Sequence, residues 1–225
     1  MNIMIFSPHP DDDIIGCGGT IAAHVRQGDQ VTIVYLTSGE AGSLDIGQNN
    51  LRMCREQEAQ QAAQCLGVHN LVFLRYPDGY LDFSRELLKS LVSLVREKTP
   101  DTAYLPHQHE SPRDHRITHE LCMEGIRRAG GPWFQDCGTT PWNVNHIFAY
   151  EVWTPLMSPN FYNDITSSLD SKIKALRCHT SQIAVIPYDE AATCLNRYRG
   201  ILSGKGHYCE SFQIIMGNSC LETKI

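Results

Sequence analysis

Ser7-Pro8-His9-Pro10-Asp11-Asp12-Asp13 puts one imidazole and three carboxylates into seven consecutive residues. Like charges this close disfavour one another unless a positive charge offsets them. Histidine and aspartate are also ligand types of hydrolytic metal sites, so the stretch points to a divalent ion. His9 and Asp12, three residues apart on a tight turn, are spaced to share it. A turn in which aspartates cap helix N–H groups accounts for one carboxylate and leaves the histidine unexplained. A second passage carries His107, His109, Asp114, His115 and His119. Catalytic zinc commonly has three protein ligands and one open position. Asp114-His115 is the natural source of the third, and a carboxylate beside a ligand histidine suits the outer hydrogen bonds such rings need. His119, one turn on, is the alternative for a fourth. His107 and His109 alternate in an extended segment, so only one of them can face the site.

The elements that must position these passages alternate between strand and helix, which predicts βαβ units and an α/β fold with a mainly parallel sheet. Residues 2–6 read as the first strand and about 17–27 as the first helix, opened by glycines and ended by Gly28. Residues 30–37 are the second strand, 51–66 a helix ended by Gly67, and 70–76 the third strand, with Pro77-Asp78-Gly79 a turn signal. Leu87, Leu88, Leu91, Val92 and Val95 mark an amphipathic helix with Ser84 as N-cap and Pro100 just past its end. Residues 102–106 are a fourth strand. The second histidine passage leaves its carboxyl end and enters a helix that runs to about Arg128. A loop over 130–141, a strand over 146–153, helices over about 168–178 and 189–203, and a strand over 208–216 complete the chain. Both polar passages thus follow the carboxyl ends of strands, where open α/β sheets bind ligands.

At 225 residues, without an internal repeat, the chain reads as a single domain over 1–225. Its net charge of -6 argues against a nucleic-acid or polybasic membrane surface. No apolar run approaches the ~18–20 residues of a membrane span, and the N-terminus lacks the basic region of a secretory signal. The nine cysteines form no Cys-x-x-Cys pair. Cys54, Cys65, Cys122 and Cys194 sit in apolar-periodic stretches and read as buried, reduced thiols of a cytoplasmic protein. Gly16-Cys17-Gly18-Gly19 suggests a dinucleotide turn, but Ile21 stands where Gly-x-Gly-x-x-Gly requires glycine.

Pro8-His9-Pro10-Asp11-Asp12, the glycine-rich turn after it and Asp114-His115-Arg116 resemble the LmbE/PIG-L family of zinc-dependent N-acetylglucosaminyl (N-acyl sugar) deacetylases. Further stations match in order. They are Thr37-Ser38-Gly39-Glu40, the Arg-x-x-Glu helix at Arg55 and Glu58, Pro77-Asp78-Gly79, Lys172 with His179 and Ser181-Gln182, and Tyr208-x-Glu210-x-Phe212. The resemblance implies a Rossmann-like three-layer sandwich with Zn2+ held by His9, Asp12 and His115. It makes Asp11 the general base for the attacking water and Asp114 the partner that orients a histidine. Pro112 stands where many members carry a histidine that polarises the carbonyl or protonates the leaving amine. His109, Arg113 and His179 are candidates for that role, with His179 preferred. Arg55 and Asp78 are candidate substrate contacts, set against an exposed helix arginine and a turn aspartate, and Glu151, if it faces inward from its strand, is a candidate to touch substrate or to support a residue that does. Trp133, Trp142 and Trp153 are candidates to stack on a sugar ring, although loop or core packing suits most of them.

The expected reaction is hydrolysis of an N-acetyl or other N-acyl group from a small, soluble amino-sugar derivative, without a membrane or nucleic-acid partner. The family commonly forms homo-oligomers. A zinc amidase acting on a larger thiol or peptide conjugate, or a metal-binding homologue without turnover, are the alternatives.

Overall fold

A computed structural model describes residues 1–138 and 140–217. Residue 139 of the expected loop and residues 218–225 of the expected domain lie outside the described part. The strands are β1 (Asn2–Ser7), β2 (Gln30–Thr37), β3 (Asn70–Tyr76), β4 (Thr102–Pro106), β5 (His146–Tyr150), β6 (Phe161–Asp164) and β7 (Cys209–Met216). The helices are α1 (Asp12–Arg26), α2 (Gln48–Leu66), α3 (Arg85–Lys98), α4 (Arg113–Ala129), α5 (Leu169–Leu176), α6 (Thr180–Ile183) and α7 (Tyr188–Ser203).

The strands form one sheet in the order β3-β2-β1-β4-β5-β7-β6. The first five are parallel, whereas β7 runs antiparallel to both β5 and β6. β1 shows why this sheet is covered on both faces. Ile3 and Ile5 join one buried cluster with Ile14 and Ile21 of α1 and Ala59, Ala62 and Ala63 of α2. Met4 and Phe6 join the other, with Leu88 and Leu91 of α3 and Leu121 and Cys122 of α4. Alternate residues therefore enter opposite cores, which is how a strand with a continuous apolar run is used. The result is the expected three-layer α/β sandwich. The strand order reverses between β1 and β4, and that switch point opens a crevice at the carboxyl ends of the strands.

Local signals act as the sequence predicts at several ends. Ser84 Oγ accepts the Leu87 N–H at 3.1 Å, and Gly67 ends α2 with φ 77°. Four features differ. α1 starts at Asp12 rather than near residue 17, and its helical geometry is broken at Cys17 (φ -145°, ψ 22°), inside the glycine cluster. β5 stops at Tyr150 instead of continuing to 153. β6 and α6 lack a matching sequence signal. Cys122 is buried, but Cys54 and Cys65 are half-buried and Cys194 is exposed. On α7 the buried positions are Ala192, Asn196, Arg199 and Gly200, which leaves Cys194 on the outer face. No helix among the described residues is long and apolar enough to cross a membrane.

Candidate active site

The turn from β1 into α1 is braced by one hydroxyl. Ser7 Oγ donates to the His9 carbonyl at 2.7 Å and accepts the Asp13 N–H at 3.1 Å. Asp11 adopts φ 121°, ψ -32°. Such backbone costs about 1–3 kcal/mol for a residue other than glycine, and it clusters at functional sites. Arg55 of α2 fastens the strained turn. Its Nη2 donates to the Pro10 carbonyl at 2.6 Å and to Asp11 Oδ2 at 3.1 Å, and its Nη1 to the Gly39 carbonyl at 3.0 Å. Gly39 has φ +66°, and a Cβ there would collide with the guanidinium, so this position needs glycine. Arg55 is thus a buried cleft residue, not an exposed helix arginine.

Asp12 stands between two imidazoles. Its Oδ2 lies 3.0 Å from His9 Nδ1 and 3.2 Å from His115 Nε2. The other ring nitrogens face carboxylates. His9 Nε2 is 3.0 Å from Asp78 Oδ1 and 3.5 Å from Asp114 Oδ2, and His115 Nδ1 is 3.6 Å from Glu110 Oε2. That is the arrangement by which outer carboxylates orient metal-ligating histidines. Ligand atoms of His9, Asp12 and His115 lie within 4.8 Å of one another, and the set His9, Asp78, Asp114 meets the same spacing. His115 is fully buried, and neither of its nitrogens has a hydrogen-bond partner. Buried polar atoms are rarely left so, and a cation among the three groups would satisfy Nε2, the nitrogen that faces Asp12. Two imidazoles and one carboxylate also match a catalytic zinc donor set, so the residues fit the ion.

The electrostatics agree. Burial opposes charge on His115, yet Asp12 outweighs it and pushes the ring up to about 9. Burial likewise opposes charge on His9, but Asp114, Asp12 and Asp78 raise its pKa well above the usual value. Asp12 is held well below the carboxylate range, because His115 and His9 overcome its burial. The pocket thus favours positive charge around one ionised aspartate. Asp11 behaves differently. Burial pushes its carboxyl up to about 7, against the pull of the Arg55 guanidinium. Asp13 sits in the first turn of α1, where a carboxylate suits the helix dipole. It is fully buried, accepts Tyr35 Oη at 3.0 Å, and is pushed by burial to about 7.

Asp114 accepts the Gly79 N–H at 2.7 Å and the Leu81 N–H at 3.3 Å, so it holds the Pro77–Gly79 turn while backing His9. Asp78 also faces His9 and accepts the Ala41 N–H at 2.9 Å. His179 is fully buried, and both its nitrogens lack partners. Burial, then the nearby Arg55 charge, lowers it to about 3, so it stands as a neutral imidazole. Its turn is set by Glu58 of α2, which accepts from Thr180 Oγ1, Ser181 N and Ser181 Oγ, each at 2.7 Å. Glu151 is a correction. Its oxygens accept from Arg199 (3.0 and 2.6 Å), Leu156 N (2.6 Å) and Ser211 Oγ (2.7 Å), so both are already engaged by the protein. His119 turns Nδ1 to the Pro106 carbonyl at 2.9 Å and lines a groove beside α4, away from the metal cluster.

The cleft holds about 300 Å³ and is walled by His9, Asp11, Asp12, Arg55, Asp78 and His115, with Trp153, Gln182 and Tyr188 at its sides. Burial, then Asp11 and Asp12, pushes the Tyr188 phenol up to about 12. Of the tryptophans, Trp153 reaches the cleft, whereas Trp142 donates to the Pro100 carbonyl and Trp133 lies under Arg127. Glu110 went unseen in the sequence. It is fully buried, sits 3.2 Å from His107 Nε2, and accepts the N–H groups of Val152, Trp153 and Thr154. A carboxylate five residues before a ligand histidine was the available signal, overshadowed by the adjacent Asp114.

A three-layer sandwich with a His-Asp-His cluster at its switch point defines an α/β protein with a candidate metal centre. The sequence model of PIG-L, GlcNAc-PI de-N-acetylase, matches residues 4–126, and the chain belongs to this family. The diacetylchitobiose deacetylase of Thermococcus kodakarensis is 29% identical over 96% of this chain and 83% of its own length. The solved N,N'-diacetylchitobiose deacetylase of Pyrococcus horikoshii superposes with a TM-score of 0.85 at 30% identity, covering 97% of this chain and 88% of that one. The 4-oxalmesaconate hydratase of Pseudomonas putida is 28% identical over 80% of this chain and 73% of its own.

Proposed function

We propose that this cleft hydrolyses the N-acetyl group of an amino-sugar derivative, with zinc held by His9, Asp12 and His115. The observation that carries the reading is Asp12 facing two imidazoles, each backed by a carboxylate, beside a carboxyl that titrates near 7. Lewis acidity from the ion, once bound, makes water a better nucleophile and an amide carbonyl a better electrophile. Asp11 takes the proton of the attacking water. A positioned base of this kind contributes roughly 10²–10⁴-fold. As the new C–O bond forms and the C–N bond breaks, the amine needs a proton. His179, with its pKa near 3, carries no imidazolium proton to give. Its neutral ring donates one N–H to the carbonyl oxygen, and Asp11 returns the proton to the departing amine. Asp78 and the open side of Arg55 take sugar hydroxyls. Asp114 and Glu110 hold the two ligand rings.

The substrate is a small N-acetylglucosamine-type molecule, and the chain works as one domain in the cytoplasm. Protein purified without chelator is expected to carry zinc by elemental analysis and to release amine from N-acetylglucosamine and diacetylchitobiose. No bound metal, no gain on adding zinc and no amine would overturn the reading. The hydratase relative supplies the competing outcome, loss of 4-oxalmesaconate without any amine release from the sugars.

A further inference from the structure

A second chamber of about 210 Å³ adjoins the cleft and shares Trp153, Ile186 and Tyr188 with its wall. The rest of its lining is apolar: Ile15 of α1, Val152, and Ala191, Ala192 and Leu195 of α7. Among the described residues no charged side chain lines it. Trp153 and Tyr188 meet edge to face, with ring centroids 5.5 Å apart and planes at 90°. Glu110, which backs His115, also accepts the N–H groups of Val152 (2.7 Å) and Trp153 (3.0 Å). The chamber wall is therefore fixed to the same carboxylate that faces the metal-ligand candidate His115 at 3.6 Å.

The sheet order divides the cleft. Its polar side comes from the segments after β2 and β3, with Gly42 and Asp78, and its apolar side from the segment after β5 and the start of α7. The metal candidates lie between them, at the ends of β1 and β4. An amide carbonyl placed there sends its two substituents to opposite sides. The sugar, on nitrogen, needs the polar side, which leaves the apolar side to the group on carbon.

We infer that the side chamber is an acyl pocket, taking the hydrocarbon tail of an N-acyl group longer than acetyl. The inference rests on the deacylase reading above. The chamber is open to solvent along Trp153 and Ile186, which are 46% and 39% exposed, and its volume exceeds the roughly 150 Å³ that holds a benzene ring, so a hexanoyl tail or an aryl ring has room in it. Acetyl reaches only its mouth. Each methylene that is fully buried raises kcat/KM by up to roughly fourfold.

The test is amine release from glucosamine carrying N-acetyl, N-butanoyl, N-hexanoyl or N-decanoyl groups, with hexyl N-acetylglucosaminide as the control for a tail on the sugar. Rising kcat/KM from acetyl to hexanoyl, then a fall at decanoyl, is expected. Filling the chamber, by Ala191→Phe or by Leu195→Trp, should collapse the hexanoyl-to-acetyl ratio. Acetyl as the best substrate, a gain confined to the hexyl glycoside, or a ratio that both variants leave unmoved overturns the pocket while the deacetylase reading stands. If no N-acyl sugar is cleaved, that reading fails, and the pocket is judged by calorimetry of the zinc-loaded protein with hexanoate and acetate. Tighter hexanoate binding that Ala191→Phe removes supports it, and equal binding of the two acids overturns it.

Discussion

Buried charge in this molecule is built in two opposite ways. Lys172 and Glu210 form a closed group. Lys172 Nζ donates to Glu210 Oε1 at 2.7 Å and to the Ile15 carbonyl at 2.8 Å, while Glu210 also accepts Gly19 N, Thr20 N and Thr20 Oγ1. Glu151 with Arg199 is a second closed group. At the end of β1 the charges are equally buried, yet carboxylates crowd one another and the nitrogens of His115 and His179 have no partners. Buried charge that is fully paired serves architecture. Buried charge left incomplete, on a strained turn, is where a ligand and chemistry enter.

The largest effect that would break this contrast is on the metal. His115→Ala should abolish bound zinc and turnover together, since it removes one of two imidazoles in the cluster. Full metal content in the variant, by elemental analysis, would send the third ligand elsewhere. Next comes Asp11→Asn. It should keep the metal and lose roughly 10²–10⁴-fold in kcat, the worth of a positioned base. The carboxyl sits near 7 in the fold, and the base works only when deprotonated. Wild-type activity should therefore climb with pH through about 7, and the Asp11→Asn variant should flatten that limb. An unchanged limb assigns the titration to another group.

Much of this site was legible because its chemistry is local in sequence. His9, Asp11 and Asp12 share one turn, and Asp114-His115 opens one helix, so spacing alone placed them at strand ends. Glu110 and Glu151 show where that reasoning stops. Phe148 to Trp153 alternates like a strand, but β5 ends at Tyr150 because Glu110 captures the N–H groups of residues 152–154 and Glu151 captures that of Leu156. Both captures depend on residues brought together by the fold. β6 was hidden for a related reason. Its four residues, Phe-Tyr-Asn-Asp, include two of low strand propensity and pair only with β7, which lies beyond three helices in the sequence.

Between those two glutamates the contrast becomes sharper. Glu110→Gln should weaken metal affinity or activity by about 10–100-fold, the usual cost of losing a carboxylate behind a ligand histidine. Competition with a chelator measures it. Glu151→Ala should leave kcat within about twofold while Arg199 loses its buried partner, at roughly 3 kcal/mol. For a chain of this size that lowers Tm by about 6–12 °C. A large kcat loss without a fall in Tm would return Glu151 to the substrate.

Asp13 gives the most diagnostic effect. It lies at the open cluster's edge but has a closed group's hydrogen bonds, through Tyr35 Oη and the Asp11 N–H. Burial raises its folded pKa to about 7, against an ordinary 3.8. Between those two values the folded chain holds a proton that the unfolded chain has released. Stability should thus fall as pH rises from about 4 to about 7, and level off above, where the native carboxylate is ionised without a counterion. A side-chain amide cannot ionise, so Asp13→Asn should gain on the wild type by a growing margin between about pH 4 and about pH 7. Thermal melts of chelator-treated protein read that margin directly. A margin that stays constant across the range would mean that Asp13 is ionised throughout, and would move it from the closed class of buried charge to the open one.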